Sequence, residues 1–288
     1  MNFTKLQGAG NDFILIEAEG IDRDWSRIAE AMCDRHYGIG GDGLLLLLPS
    51  DRSDFRMVVF NADGSEAEAC GNGLRCFARY ILDRGLVDSN ADQITVETKA
   101  GVDKVSFQRA GNVKPAISIN LGVPIFKASD IPVKIELYAG VLDIKPITDY
   151  PVTVDSDELT LSFVSMGNPH AVYFTRQPVA EFPLSRLGPK VERHRMFPNR
   201  VNFELARIIS RRQIEGRIWE RGVGETLASG TGASAIAVIA RIHGFVDSIV
   251  DIVLPGGTLN IEWEGQGDVF LSGPAETVFS GEWPNEVK

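Results

Sequence analysis

The sequence predicts an α+β chain made of two pseudo-symmetric domains, and three observations predict it. Around one cysteine the chain reads Asn61-Ala-Asp-Gly-Ser-Glu66-Ala-Glu-Ala-Cys70-Gly-Asn-Gly73, and around one serine it reads Glu220-Arg-Gly-Val-Gly-Glu225-Thr-Leu-Ala-Ser229-Gly-Thr-Gly232. Aligning Cys70 with Ser229 sets Glu66 on Glu225, Ala69 on Ala228, Gly71 on Gly230 and Gly73 on Gly232, at an offset of 159 residues (229 − 70). A second pair, Gly10-Asn11-Asp12 against Gly167-Asn168-Pro169-His170, has nearly the same offset, 157 (168 − 11). Finally, each half carries several short strand-like runs and, directly after its cysteine or serine, one segment apolar enough to be a buried helix. A chain of 288 residues has room for two such domains.

Taken in order, residues 3–17 read as two strands about a Gly-Ala-Gly-Asn turn, whose glycines supply the positive φ of a tight turn. Residues 25–35 have helical spacing, with Trp25, Ile28, Ala29 and Met32 on one face. Residues 44–48 and 55–60 read as buried strands, 70–83 as a buried helix, and 93–121 as alternating strands with short turns. Leu121-Gly-Val-Pro124 marks the crossing into the second half. There, residues 161–165 and 171–174 flank the Gly-Asn-Pro-His turn, 184–191 form a short helix, and 201–208 and 214–220 are strands. The Ala- and Ile-rich segment 231–243 reads as a fully buried helix. Residues 249–279 return to strands, the last of which rejoins the first half. The expected domains are therefore 1–121 with 272–288, and 122–271.

Hydrophobic content of 44% and charged content of 24% are ordinary for a soluble protein. A net charge of −10 argues against nucleic acid or an anionic membrane as a partner, while leaving room for a local basic site for a small acid. Cys33, Cys70 and Cys76 make no paired framework, the start Met-Asn-Phe-Thr-Lys lacks the apolar core of a signal peptide, and the Leu44–Leu48 run is far too short to span a bilayer. A cytoplasmic protein is the expectation.

Cys70 precedes Gly-Asn-Gly at the start of a predicted helix. Unpaired backbone N–H groups and the positive end of the helix dipole favour a thiolate there, and the glycines let a ligand carboxylate reach the same donors. A buried structural cysteine is the commoner fate of the residue type; the duplication favours the functional reading for Cys70, whereas Cys33 and Cys76 read as core. One reactive group per half is the layout of a two-base racemase or epimerase. Gly38-Ile-Gly-Gly-Asp-Gly43 fits G-x-G-x-x-G, but it follows a helix and precedes a strand, the reverse of a dinucleotide fingerprint, so it reads as a structural turn. Glu220-Arg221 is an exposed charge pair in one reading and a holder of an amino-acid headgroup in the other, Arg for a carboxylate and Glu for an ammonium. Asn11, Asn61, Asn168 and Asn202 can bind both ends of a zwitterion, although Asn also favours Gly-rich turns for its backbone habits. His170 is a structural hydrogen-bonder or a supporting catalytic group, with no acidic partner evident nearby in sequence. No residues have metal-ligand spacing, and no lysine stands out as an aldimine former.

Five ordered motifs now carry a resemblance. They are Phe3-Thr-Lys-Leu-Gln-Gly-Ala-Gly-Asn-Asp-Phe13, the run from Asn61-Ala-Asp-Gly-Ser through Cys70-Gly-Asn-Gly-Leu-Arg-Cys-Phe-Ala-Arg79, Gly167-Asn-Pro-His170, Arg200-Val-Asn-Phe203 and Trp219-Glu-Arg-Gly-Val-Gly-Glu-Thr226. Through them the chain resembles the diaminopimelate epimerases along nearly its whole length. The resemblance implies a cofactor-independent enzyme of lysine and cell-wall biosynthesis that interconverts L,L- and meso-2,6-diaminopimelate. It implies two domains, each a strand barrel around a central helix, with the site in the cleft between them, and it makes a homodimer plausible. By position it makes Cys70 one acid/base residue and puts Ser229 where the family carries the other as a cysteine, with His170 and Glu220 supporting. Gly71, Asn72, Gly230 and Thr231 would hold the reacting carboxylate. Asn11, Asn61, Asn168, Asn202, Glu220 and Arg221 would bind the rest of the substrate, and Gly43 falls where some relatives carry a glutamine.

A serine hydroxyl is less acidic than a thiol by several pKa units, each worth about 1.4 kcal/mol. Three accounts of Ser229 stand open: a substitution made to disable or trap the enzyme, a natural enzyme with slow epimerisation or a related one-base reaction, and a binding protein that keeps the pocket. A racemase of another amino acid is the rival enzyme.

Overall fold

A computed structural model of the chain describes residues 1–67, 70–88, 90–108, 115–135 and 146–284. The chain divides into two compact units, Met1–Asn120 with Ser272–Lys288, and Leu121–Leu271.

In the first unit, β1 (Asn2–Gly8) and β2 (Asn11–Glu17) form an antiparallel hairpin. Its two-residue loop holds Ala9 and Gly10 at φ 53° and 82°, the mirror-image turn whose twist matches the strands. Helix α1 (Trp25–Cys33) crosses over to β3 (Gly43–Leu48), which pairs parallel with β2. β4 (Phe55–Asn61) runs antiparallel to β3, and the short β5 (Glu66–Ala67) antiparallel to β4. After helix α2 (Gly71–Arg84), β6 (Gln93–Thr98) pairs parallel with β4 and continues antiparallel into β7 (Gly101–Gln108) and β8 (Ala116–Asn120). The part of the predicted 93–121 strand region at 109–114 lies outside the described residues, as does Ala69 of the repeat.

The second unit repeats this order. β9 (Tyr150–Val154), β10 (Asp157–Ser165) and β11 (Pro169–Phe174) are antiparallel neighbours. Helix α3 (Leu184–Glu192) crosses to β12 (Asn202–Ser210), parallel to β11. β13 (Gln213–Glu220) and β14 (Gly224–Thr226) follow antiparallel, then helix α4 (Gly230–Ile242). β15 (Ile249–Leu254) pairs parallel with β13, and β16 (Gly257–Glu262) antiparallel with β15. β17 (Phe270–Gly273) leads back to β18 (Glu276–Glu282), which lies antiparallel on β1. The repeat extends to single-residue register: Phe60 faces Glu66 as Trp219 faces Glu225, and Leu44 faces Phe60 as Phe203 faces Trp219.

Each unit is a sheet wrapped around one helix. Strands β1, β2, β3, β4, β8 and β18 pack on α2, and β10, β11, β12, β13, β15 and β16 pack on α4. The central helices are consequently buried on every side, over 72–81 and 232–240. In α4 alone Ile236, Val238 and Ile239 are wholly buried, each worth about 1.5–3 kcal/mol over an exposed position. The outer face of the first sheet is covered by α1, whose Ile28 and Met32 pack with Ile14, Ile16, Leu44 and Leu46. Two covered faces explain why β3 reads as an unbroken leucine run rather than an alternating one.

Candidate active site

Cys70 and Ser229 occupy the same local geometry. Each is the N-cap of its unit's central helix in extended backbone, at φ −147°, ψ 108° and φ −133°, ψ 127°. Each accepts the N–H three residues on, Gly73 to Cys70 Sγ at 3.3 Å and Gly232 to Ser229 Oγ at 3.4 Å. The glycines at those positions have a steric reason. A Cβ on Gly73 would meet Leu45 at 3.2 Å and Cys70 Sγ at 3.4 Å, and one on Gly232 would meet Ile218 at 2.9 Å. Gly71 and Asn72, and likewise Gly230 and Thr231, open their helices, so their N–H groups lack intrahelical acceptors and make an anion cradle beside each cap. Cys33 and Cys76 are core residues, and burial pushes their thiols up to about 11 and about 12. Among the described residues no three His, Cys, Asp or Glu converge to hold a metal ion.

In the first unit Asn11, Asn72 and an ionic cluster form one chain. Asn72 Nδ2 donates to Asn11 Oδ1 at 3.1 Å, and Asn11 Nδ2 donates to Asp42 at 2.6 Å. Arg35 bridges Asp42 and Asp12, and Lys5 pairs with Asp12 at 2.6 Å. Burial raises the Asp12 carboxyl, but hydrogen bonds from Arg35 and Lys5 outweigh it and hold the group at about 2, below its usual 3.8. A depressed carboxylate stabilises the fold fully above the unfolded value and loses that contribution as pH falls through the folded one. Acid unfolding between about pH 4 and 2 is therefore expected to weaken in its pH dependence in Asp12→Asn, measured by urea titration at each pH; an unchanged slope would refute it. Asn61, at the end of β4, is exposed and donates to Ser65 at 2.9 Å. Opposite it stands Gly43, where a Cβ would lie 2.7 Å from the Phe60 carbonyl oxygen, so this backbone accommodates no side chain without moving.

In the second unit the structure supplies what the sequence hid. His170 has an acidic partner after all: Glu204 Oε1 lies 2.6 Å from His170 Nδ1, both wholly buried. Parallel pairing of β11 with β12 sets His170 opposite Asn202, and side-chain alternation along β12 puts Glu204 on that same face. A glutamate set between Phe203 and Leu205 in a strand-like segment was the available signal. Burial pushes the Glu204 carboxyl up, against the opposing pull of His170, and Glu204 Oε2 has no hydrogen-bond partner among the described residues. A protonated Glu204 donating to Nδ1 fits both facts, because an orphaned carbonyl oxygen is far cheaper than an orphaned charge. His170 Nε2–H then donates to Asn168 Oδ1 at 2.7 Å, and Asn168 Nδ2 reaches Thr231 Oγ1 at 3.5 Å. The chain ends on the cradle of α4.

The remaining residues hold one another. Asn202 is buried, with Nδ2 donating to the Pro169 carbonyl and Oδ1 accepting the Arg221 backbone N–H at 2.8 Å. Glu220 accepts from the Thr226 hydroxyl at 2.6 Å, and the exposed Arg221 guanidinium donates to the Asn199 carbonyl at 3.1 Å. Glu192, which sequence reasoning missed, pins this turn by accepting from Trp219 Nε1 at 2.8 Å and Gly222 N–H at 3.1 Å.

The chain has close relatives among named proteins. It is 43% identical to the diaminopimelate epimerase of Acetivibrio thermocellus over 98% of both chains. It is 44% identical to that of Caldanaerobacter subterraneus subsp. tengcongensis over 98% of this chain and 99% of the other. For that of Methanococcus maripaludis the figure is 41%, again over 98% and 99%. In fold it resembles a Bacillus anthracis phenazine biosynthesis protein of the PhzF family, at TM-score 0.69 and 17% identity over 99% of each chain. It also resembles a hydroxyproline epimerase from Agrobacterium vitis with bound trans-4-hydroxy-L-proline, at TM-score 0.67 and 15% identity over 98% of this chain and 90% of that one. Such distant likenesses show architecture alone. The diaminopimelate epimerase family model, however, matches residues 3–127 and 162–278, a span that takes in both capped helices, and with this identity over nearly the full length the chain belongs to the diaminopimelate epimerase family.

Proposed function

We propose that the chain interconverts L,L- and meso-2,6-diaminopimelate by moving one α-proton, without a cofactor, and that Ser229 slows it. Family membership supports the substrate, and the observation that carries the chemistry is the matched pair of helix caps. Inversion removes a proton from one face of the α-carbon and returns one to the other, so it takes two proton carriers. Cys70 supplies a thiolate, favoured by the Gly73 N–H and the start of α2. It takes the α-proton and becomes a thiol, while the electron pair passes into an enolate-like carboxylate, the kind of charge that backbone donors at a helix start stabilise. Ser229, in the matching cap, has to protonate the opposite face, and a hydroxyl does so poorly because it gives up its proton reluctantly. The His170–Asn168–Thr231 chain and Glu220 support the second unit, and Asn11, Asn61, Asn202 and Arg221 complete substrate binding.

The test is α-proton exchange of L,L- and meso-diaminopimelate in D₂O, followed by NMR. Measurable exchange with slow inversion supports the reading, and no exchange in this chain or in its Ser229→Cys form sends the search to other amino acids or to a binding role. Alkylation of Cys70 is expected to abolish whatever activity is measured. Mild oxidation is expected to leave the chain without a disulfide, since residue 229 has no sulfur; peptide mapping that found Cys70 bonded to Cys33 or Cys76 would count against this. Within the same reading the protein is a cytoplasmic homodimer, which sedimentation of the purified chain checks.

A further inference from the structure

Helix α2 buries a charge that lacks a full set of partners. Arg75 stands just past the first turn and is wholly buried. One terminal nitrogen donates to Asn72 Oδ1 at 2.8 Å, while Nε and the other terminal nitrogen meet no acceptor among the described residues. A guanidinium keeps its proton under ordinary conditions, so the charge remains and calls for an anion. Long side chains on a helix lean toward its N-terminus, which carries this one toward the cap. Burial pulls this guanidinium down, and the thiols of Cys76 and Cys70, when ionised, are the groups that would oppose it. Cys76, with its thiol pushed up to about 12, stays protonated. Cys70 is the partly exposed cap.

We propose that Arg75 is the fixed counter-charge of the Cys70 thiolate and, through Asn72, the residue that orients the donors at the start of α2. The orientation follows from donor and acceptor types. A guanidinium only donates, so Asn72 must turn its oxygen to Arg75 and its NH₂ to Asn11. Asp42, at the far end, accepts from Asn11, so neither amide can flip without breaking two bonds. Lys5, Asp12, Arg35 and Asp42, the charges tied to the start of this helix through Asn11, are already paired with one another, and farther along it Arg79 pairs with Asp83 while Glu17 and Arg84 both bind Tyr80. Arg75 touches no reacting atom; it is a positioning residue, and its role rests on reading Cys70 as the proton-transferring thiol.

The decisive experiment is the pH profile of Cys70 alkylation by iodoacetamide, read by peptide mass spectrometry in the native chain, Arg75→Lys and Arg75→Met. In Arg75→Met the midpoint should rise by about one unit or more, which is about a tenfold slower reaction at pH 7; Arg75→Lys should keep most of the rate. An unchanged midpoint in folded Arg75→Met overturns the proposal. Should that variant not fold, the native chain decides. The Arg75 Nε–H signal in ¹⁵N NMR should shift at the alkylation midpoint and cease to do so in Cys70→Ala, and a signal flat across that midpoint overturns the proposal equally. Alkylation needs no amino-acid substrate. Failure of the diaminopimelate reading therefore shows as absent α-proton exchange, and failure of the Arg75 role as an unmoved thiol profile.

Discussion

Ser229→Cys is expected to raise diaminopimelate inversion by about 10²- to 10⁴-fold, the usual reach of a well-placed general acid or base. The local structure already suits a thiol. Residue 229 caps α4 in the backbone conformation in which Cys70 caps α2, and it accepts the equivalent N–H at nearly the same distance. Substitution therefore changes acidity while leaving the cap in place. Inversion should gain more than exchange, because exchange on one face can proceed through Cys70 alone. The measurement is loss of one stereoisomer against α-deuteration in the same NMR sample. Equal, slow rates in both forms would mean that the second proton carrier lies elsewhere.

Glu204→Ala should cost about 3 to 5 kcal/mol in stability, the sum of a core cavity and a buried His170 Nδ1 left without its donor. Glu204→Gln should cost under about 1.5 kcal/mol, because its amide N–H donates to His170 Nδ1 as a protonated carboxyl does. The comparison reports the protonation state of the pair. Urea unfolding of the two variants measures it, and a Gln variant as unstable as the Ala variant would show that Glu204 is ionised against an imidazolium. Because Asn168 and Thr231 follow in the same chain, the Ala variant should also lose substrate affinity.

Much of this protein could be read along the chain. The two hairpin strands of residues 2–17, the helix begun by Cys70 and the helix begun by Ser229 follow from local period, composition and cap chemistry, each set by neighbours a few residues away. The repeat announced that Cys70 and Ser229 share one environment, since like sequences folding alike need no knowledge of distant contacts. The dismissal of Gly38–Gly43 as a nucleotide loop rested on the same local logic, the order of helix, turn and strand.

What stayed hidden depends on pairing between segments far apart in sequence. Glu204 meets His170 only because β11 and β12 run parallel in one register, and no local pattern states which strands will pair. That the charge of Arg75 is sealed inside the sheet, with one bond to Asn72, follows from strands closing on α2. Burial in the second unit likewise commits Asn202 to the Pro169 carbonyl and the Arg221 backbone, although sequence offered it as an open ligand group. Residue types and their spacing thus determined the plan of each unit and the place of its matched helix cap. Tertiary structure decided which polar groups are buried, and so which are bound to one another, because desolvation is a property of the packed sheet and not of any one segment.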